Sequence, residues 1–323
     1  MNGFPSILES IEDLNKSQID ALLERARALK NRAPARLPLE KPLYVATSFL
    51  EHSTRTKFSF SSAITRLGGY HIDFQAENSS LKKGESLEQT LLTLKYQGID
   101  VCVIRTKVSH LLDQFKERPP IKIINGGDGS NQHPTQALLD LMTFIEVLGD
   151  VKGKRITIIG DCVHSRVTHS LMQLLPMYGV ELYLCGPEEF IPQNRDERIK
   201  VAPSLDSAIE NSDALYLLRI QSERHESSDK KSKDDPIDYH EQWGISISKL
   251  KKYKKNIPLF HPGPANIGVE VSDQLINSNL WMAHHQVKNS VYMRMAIIEA
   301  MVGNMDHEIG AKYTDISKEI LGE

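Results

Sequence analysis

Three hydroxyl side chains and one guanidinium stand side by side in the first third of the chain: Ser53, Thr54, Arg55 and Thr56. They lie between an apolar run over 42–49, which predicts a strand, and a helical pattern over 58–67. A helix N-terminus attracts anions through its free backbone N–H groups and the positive end of its dipole. Serine and threonine are also ordinary helix caps, but four consecutive donors exceed what capping needs. The stretch therefore predicts a phosphate site.

Further polar side chains follow other predicted strands. In open parallel sheets the ligand crevice lies at the carboxyl ends of the strands. The candidates at such ends are Arg105, His133, Gln136, Arg166, Arg219 and Gln221, together with Pro262 and Gly263 of a His-Pro-Gly-Pro run. Each alone has an ordinary explanation as an ion pair, a helix cap or a tight turn. Their coincidence at the strand ends is what indicates a common cleft.

Apolar runs and helical patterns alternate through both halves of the chain, which predicts right-handed βαβ units and parallel sheets. We expect an α/β fold of two doubly wound parallel-sheet domains with an active-site cleft between them. The N- and C-terminal helices are expected to pack on the first domain. That domain is expected over 1–149, with a C-terminal helix over 287–323 returning to it, and the second domain over 150–286.

Four local expectations concern less regular stretches. The apolar spacing over 6–30 is that of an amphipathic helix, with a break near 15–17. A short helix is expected near 109–116 and a loop over 125–129. The stretch 222–238 carries many charges and few apolar residues, which predicts a mobile surface loop.

Composition excludes several classes of protein. With 323 residues the chain is long enough for two domains, and 40% hydrophobic and 25% charged residues are typical of a soluble globular protein. The N-terminal residues lack the pattern of a signal peptide, and no apolar run is long enough to span a bilayer. We therefore expect a cytoplasmic protein without membrane contact. A net charge of −3 provides no basic field for nucleic acid.

The cysteines do not suggest redox or metal chemistry. Cys102, Cys162 and Cys185 lie far apart, each in or beside an apolar run. They are expected to be core residues rather than a disulfide framework or metal ligands. No ordered set of cysteine, histidine and carboxylate spacings requires a metal, so we expect no metal and no cofactor.

Six segments resemble, in order and spacing, those of the aspartate and ornithine carbamoyltransferase family, and of its aspartate branch in particular. They are SFLEHSTRTKFSF, SLKKGES, NGGDGSNQHPTQALLDL, GDCVHSRVTHSL, LYLLRIQSER and FHPGPANIGVEV. The segments are spread over both predicted domains. The resemblance implies that carbamoyl phosphate and L-aspartate are converted to N-carbamoyl-L-aspartate and phosphate, in de novo pyrimidine biosynthesis.

The resemblance also implies a role for each candidate residue. The phosphate would be held by Ser53, Thr54, Arg55 and Thr56. Hydrogen bonds to the carbonyl oxygen would come from Thr56, Arg105 and His133, and Gln136 would orient the carbamoyl amide group. The two aspartate carboxylates would be bound by Arg166 and Arg219, because the planar guanidinium meets a carboxylate with two hydrogen bonds. Further contacts to aspartate would come from Gln221, Pro262 and Gly263.

Ser80 and Lys83 match the family's mobile loop, which enters the active site of the neighbouring subunit. The resemblance therefore implies a homotrimer with shared sites, in which both residues also contact carbamoyl phosphate. Lys83 would in addition contact aspartate and belong to the catalytic set, with Arg55, Thr56, Arg105, His133 and Gln136. Lys82 is an alternative to Lys83, which we prefer because it directly precedes Gly84. A regulatory chain or dihydroorotase is a candidate further partner.

The chain departs from the family pattern at Lys57, Ile267 and Ser290. Of these, Ile267 removes a cation that is often present on the aspartate side. One rival interpretation is a carbamoyltransferase for another amine such as ornithine, but the His-Pro-Gly-Pro run and the two arginines favour a dicarboxylate acceptor. A second rival is a catalytically silent homologue that serves as a scaffold for dihydroorotase.

Overall fold

The structure is a computed structural model that describes residues 3–35, 37, 41–51, 53–75, 84–220 and 236–303. Its first sheet has five parallel strands in the order β1-β5-β4-β2-β3. The strands are β1 (Ile7–Leu8), β2 (Tyr44–Phe49), β3 (Tyr70–Phe74), β4 (Val101–Thr106) and β5 (Lys122–Asp128). The helices in this part of the chain are α1 (Lys16–Lys30), α2 (Thr54–Arg66), α3 (Leu87–Tyr96) and α4 (Pro134–Leu148).

The second sheet also has five parallel strands, in the order β10-β9-β6-β7-β8. They are β6 (Arg155–Ile159), β7 (Glu181–Cys185), β8 (Lys200–Val201), β9 (Ala214–Leu217) and β10 (Leu259–Phe260). The helices here are α5 (Arg166–Leu174), α6 (Leu205–Asn211), α7 (Pro236–Trp243), α8 (Ile247–Lys252), α9 (Asp273–Ile276) and α10 (Ala283–Val302). The predicted fold class, with two parallel-sheet units, is confirmed.

The terminal helices α1 and α10 pack together beside the first sheet. Arg25 of α1 forms a buried two-point ion pair with Glu299 of α10, with N–O distances of 2.6 and 3.0 Å. Lys122 of β5 donates to the carbonyl oxygen of Met301 at 2.8 Å. These contacts confirm that the C-terminal helix returns to the first sheet. The remainder of the predicted helix, beyond residue 303, lies outside the described residues.

An aromatic contact joins α4 to the second sheet. The rings of Phe144 and Phe260 lie 4.4 Å apart between centroids, and the ring of Tyr216 lies 6.1 Å from that of Phe144. All three side chains are buried, so they belong to the apolar core shared by both sheets. Helix α4 is therefore held between the two sheets, with its N-terminus at the carboxyl ends of the strands.

Both ends of helix α4 lie at residues whose backbone preferences suit them. Pro134 occupies its first turn, where the missing N–H costs nothing. Gly149 ends the helix with φ of +76°, a conformation that suits glycine.

Three local expectations are wrong. The N-terminal stretch is an α-helix only after the expected break near 15–17, where α1 begins behind the capping residue Asn15. Before the break, Ile7 and Leu8 pair with β5 and a 3-10 turn follows over Ile11–Asp13. Strand pairing here outweighs the helical spacing, because it fills the edge of the first sheet. The short helix near 109–116 is a 3-10 turn over Asp113–Phe115.

The expected loop over 125–129 is mostly strand, since β5 continues to Asp128 along β4. The charged stretch 222–238 lies outside the described residues up to residue 235, and helix α7 begins at Pro236. Among the described residues, no helix is long and apolar enough to cross a membrane.

Candidate active site

The predicted phosphate site, Ser53 to Thr56, lies at the N-terminus of α2, directly after β2. We call these four residues the cradle. Ser53 is the N-cap residue in an extended conformation, with φ of −158°, and its hydroxyl makes no capping hydrogen bond. Thr56 is buried within the first turn, whereas Thr54 and Arg55 are exposed. The first backbone N–H groups of α2 and these side chains therefore lie together at one edge of the first sheet, which suits an anion.

The His-Pro-Gly-Pro run after β10 reaches this cradle from the second sheet. Gly263 has φ of +71°, and a Cβ atom at this position would lie 2.5 Å from Cζ of Arg55. Glycine is the residue that tolerates both the backbone conformation and so close an approach. The structure thus places Gly263, with its neighbour Pro262, against the phosphate side of the cleft.

A buried histidine shapes the same run. Nδ1 of His261 accepts a hydrogen bond from the backbone N–H of Gly263 at 2.7 Å, so the ring hydrogen is on Nε2, which donates to Glu270 at 3.2 Å. Burial lowers the pKa of His261, and the positive charges of Arg55 and Arg219 act in the same direction. Arg55 and Arg219 therefore both lie close to the run.

Arg105 and Arg166 meet at the carboxyl edge of the first sheet. Arg105 is buried near the end of β4 and donates to the carbonyl oxygen of Gly126 at 3.2 Å. The backbone of Gly127 lies beside both arginines: a Cβ atom at this position would lie 3.1 Å from Nη1 of Arg105 and 3.3 Å from Nε of Arg166. The predicted oxyanion donor and the predicted aspartate ligand are thus brought together.

Glu51, which the sequence analysis missed, joins these two arginines. Its carboxylate accepts two hydrogen bonds from Arg166, at 2.9 and 3.0 Å, and a longer one from Arg105 at 3.4 Å. Because Glu51 lies between β2 and the cradle while Arg166 begins α5, the contact spans the cleft. The sequence feature that could have identified Glu51 is its position as a single carboxylate two residues before the cationic and hydroxyl donors that begin at Ser53.

His133 lies at the N-cap position of α4, facing the cradle. Its Nε2 is 3.5 Å from the Thr56 hydroxyl, and its backbone N–H donates to Ser170 at 2.9 Å. Burial lowers the pKa of His133 well below its usual value, and the charges of Arg105, Arg294 and Arg166 act in the same direction. The ring is therefore neutral near pH 7 and has one N–H to donate.

Arg294 is a second residue that the sequence analysis did not identify. It lies on α10, is almost fully buried, and donates to the hydroxyls of Ser59 and Thr135. Its guanidinium also lies 4.8 Å from the centre of the Phe60 ring. Burial lowers the pKa of Arg294 to about 9. Nothing in the sequence distinguishes this arginine from others on amphipathic helices.

Gln136, on the first turn of α4, is held by a carboxylate from the same helix. Its Nε2 donates to Oδ1 of Asp140 at 3.0 Å. Of the other predicted site residues, Ser80, Lys83 with its alternative Lys82, and Gln221 lie outside the described residues.

The three departures from the family pattern have different surroundings. Lys57 forms an ion pair with Asp73 of β3 at 2.7 Å. Ile267 is 53% exposed. Ser290 is buried and donates to the carbonyl oxygen of Val287 within α10 at 2.7 Å.

The cysteine prediction is confirmed, since all three thiols are buried and unbonded to one another. Burial raises the pKa of Cys102 and of Cys185 to about 12, which makes them poor nucleophiles. In the part of the chain that the structure describes, no group of three or more histidine, cysteine, aspartate or glutamate residues is arranged to hold a metal ion.

Two sequence profiles of one family match the chain. "Aspartate/ornithine carbamoyltransferase, carbamoyl-P binding domain" matches residues 7–146, and "Aspartate/ornithine carbamoyltransferase, Asp/Orn binding domain" matches residues 152–301. The aspartate carbamoyltransferase catalytic subunit of Ligilactobacillus salivarius is 41% identical over 298 residues, which are 91% of this chain and 94% of that protein. The catalytic subunit of Enterococcus faecalis is 40% identical over 297 residues, with 91% and 95% of the two chains covered.

Solved structures of aspartate transcarbamoylases, another name for aspartate carbamoyltransferases, share the fold. Aspartate transcarbamoylase from Trypanosoma cruzi in complex with N-(phosphonacetyl)-L-aspartic acid superposes with a TM-score of 0.79 at 28% identity, covering 93% of this chain and 97% of that one. The catalytic subunit of the M. jannaschii enzyme gives a TM-score of 0.78 at 31% identity, with 94% and 100% covered.

Proposed function

The chain belongs to the aspartate/ornithine carbamoyltransferase family, and from this premise we propose that it transfers the carbamoyl group of carbamoyl phosphate to L-aspartate. The products are N-carbamoyl-L-aspartate and phosphate, and the pathway is de novo pyrimidine biosynthesis. The observation that carries the proposal is the meeting of Arg105, Arg166, His133 and Thr56 at the strand ends, beside the α2 cradle. This set of donors suits a reaction between an acyl phosphate, which carbamoyl phosphate is, and a dicarboxylate.

Electrostatic stabilisation is the chemistry these residues supply. As the aspartate amine bonds to the carbamoyl carbon, negative charge develops on the carbonyl oxygen, where fixed donors lower the barrier. We assign that oxygen to Thr56, Arg105 and the neutral N–H of His133. The carbon–oxygen bond to phosphate then breaks, and the departing phosphate accepts the amine proton. Binding and orientation account for the remainder of the rate.

The phosphate and aspartate sides of the cleft use different sheets. We assign the phosphate to the α2 cradle, within a carbamoyl phosphate domain over 1–149, and the aspartate to a domain over 150–286. The contact of Glu51 with Arg166 supports the second assignment, because it shows that this guanidinium is placed to meet a carboxylate with two parallel hydrogen bonds. Arg219 and Gln221 would bind the other carboxylate.

We also propose that the active protein is a homotrimer whose sites are shared between subunits. Apolar side chains are exposed along β2, β3 and α2: Tyr44 at 37%, Ile72 at 41%, Tyr70 at 54% and Phe58 at 69%. Among the described strands, β3 pairs only with β2. This edge supports a subunit contact. The segment with Ser80 and Lys83 follows β3 in the chain, so a neighbour at this edge would be within its reach.

The deciding experiment is phosphate release from carbamoyl phosphate with L-aspartate, with L-ornithine, and with neither amine. We expect release that depends on L-aspartate and tight calorimetric binding of N-(phosphonacetyl)-L-aspartic acid. Release with ornithine alone would favour the rival acceptor, and the absence of both activity and binding would favour the silent scaffold. A regulatory chain, dihydroorotase as a partner, and the cytoplasmic location remain predictions from the sequence.

A further inference from the structure

We propose that Asp140 is a positioning residue that turns the side-chain amide oxygen of Gln136 towards the bound carbamoyl group. In this way it would set the preference of the enzyme for a carbamoyl donor over an acyl phosphate of the same shape. The inference rests on the proposed function, because it concerns the donor substrate of that reaction. It assigns a role to a residue that does not itself contact the substrate.

Asp140 is a fully buried carboxylate that receives three hydrogen bonds and makes none. Oδ1 accepts from Nε2 of Gln136 at 3.0 Å and from Nε2 of Gln286 at 2.7 Å. Oδ2 accepts from the hydroxyl of Tyr216 at 2.6 Å. The three donors come from helices α4 and α10 and from strand β9 of the second sheet, so three separate elements fix the orientation of this carboxylate.

The donors are themselves fixed. Oε1 of Gln286 accepts from the backbone N–H of His261 at 2.9 Å, which sets the orientation of that amide. Tyr216 is fully buried, with its ring near that of Phe144. Asp140 therefore has little freedom to rotate away from Gln136.

A side-chain amide has one donating end and one accepting end. Against the Asp140 carboxylate only the Nε2 end of Gln136 forms a hydrogen bond, because the reversed amide would oppose two oxygen atoms. The Oε1 end must therefore point away from Asp140. Gln136 lies on the same first turn of α4 as His133, at the carboxyl edge of the strands, so this acceptor belongs to the cleft.

The chemical consequence concerns the NH₂ group of the carbamoyl donor. That group has hydrogens to donate, and Oε1 of Gln136 would accept one of them. A reversed amide would place two donors against each other and leave both without a partner. Acetyl phosphate has a methyl group at the same position, so its binding does not depend on the orientation of Gln136.

The required property is the acceptor at Oδ1 rather than a negative charge. Burial raises the pKa of Asp140 to about 7, so both forms are present near neutral pH. In the acid form, a proton on Oδ2 would be donated to Tyr216, and Oδ1 would still face the two glutamine amides. An asparagine would do the same, with its oxygen towards the two amides and its nitrogen towards the tyrosine oxygen.

The test compares Asp140→Leu with Asp140→Asn. For each variant, kcat/KM for carbamoyl phosphate is measured at saturating L-aspartate, together with Ki for acetyl phosphate as a competitor of carbamoyl phosphate. We expect Asp140→Leu to lower kcat/KM about tenfold or more, as for the loss of one hydrogen bond, and to leave Ki within about twofold. Asp140→Asn should keep both values close to wild type.

A purely structural role for Asp140 would move both readouts together, and equal losses of carbamoyl phosphate and acetyl phosphate would overturn the proposal. If Asp140→Leu does not fold, the double variant Asp140→Leu/Tyr216→Phe removes the hydroxyl left without a partner, with Tyr216→Phe alone as its control. A wild-type protein that consumes no carbamoyl phosphate with L-aspartate would instead overturn the proposed function, and this inference with it.

Discussion

The buried carboxyl of Asp140 should make the stability of the protein fall as the pH rises. Burial raises its pKa from 3.8 to about 7, because the three hydrogen bonds from Gln136, Gln286 and Tyr216 offset only part of the desolvation. Between these two values the folded protein binds more protons at this site than the unfolded chain does. The contribution of Asp140 to stability is therefore complete below pH 3.8 and is lost as the pH rises through 7.

The size of the effect follows from the two pKa values. Linkage predicts that the ionisation of Asp140 lowers the unfolding free energy by about 2–3 kcal/mol between about pH 5 and 8. Asp140→Asn cannot ionise, so it lacks this loss. The variant should gain that amount relative to wild type over the same interval, whatever constant offset the new amide introduces.

Denaturant unfolding of wild type and Asp140→Asn at several pH values, followed by circular dichroism, measures this difference. Other titrating groups cancel because both proteins contain them; one is Glu9, whose pKa burial raises to about 7. Asp273→Asn, which changes an exposed aspartate, is the matched control and should follow wild type. Parallel pH profiles for wild type and Asp140→Asn would refute the reasoning, because they would mean that the carboxyl is solvated in the folded protein.

Three further predictions concern the reaction. Arg105→Ala should lower turnover about 10²–10³-fold if the guanidinium donates to the developing oxyanion, and near-normal kcat in steady-state assays would remove it from the mechanism. Because the pKa of His133 lies well below its usual value, kcat/KM should not fall with histidine protonation between about pH 8 and 6; a fall that disappears in His133→Gln would contradict this. Inactive Lys83→Ala and Arg55→Ala chains, mixed and reassembled, should regain activity if sites are shared, and inactive verified mixed trimers would argue against sharing.

The regular strands and helices could be predicted from the sequence, because their local apolar pattern agrees with the position that they take in the folded protein. Strand β6 and helix α6 have an apolar face or run that fits their place in the sheet, and α4 begins at a proline and ends at a glycine. Strand β1 could not be predicted in this way. Its two residues form a strand only because β5, more than a hundred residues later, offers a free edge, and no local pattern encodes that pairing.

The residues of the candidate site likewise fall into those that the sequence predicts and those that it does not. Arg105, His133 and Arg166 were found because each follows a predicted strand, and topology brings strand ends together. Glu51, Asp140 and Arg294 were missed because their importance lies in what they contact, and their contacts join distant parts of the chain. Asp140 in particular occupies a position four residues after Gln136 on a helix, where an aspartate usually faces solvent.

The charges of the cleft also explain why Glu51 belongs to it. A buried ion without a partner is costly. The folded chain brings the positive charges of Arg105 and Arg166 together beside Gly127, where they repel each other. Glu51 offsets that repulsion by accepting hydrogen bonds from both arginines. A phosphate dianion and a dicarboxylate would add negative charge to the same region. Because ligands that bind only the folded state stabilise it, both substrates should raise the melting temperature, and more so together than singly.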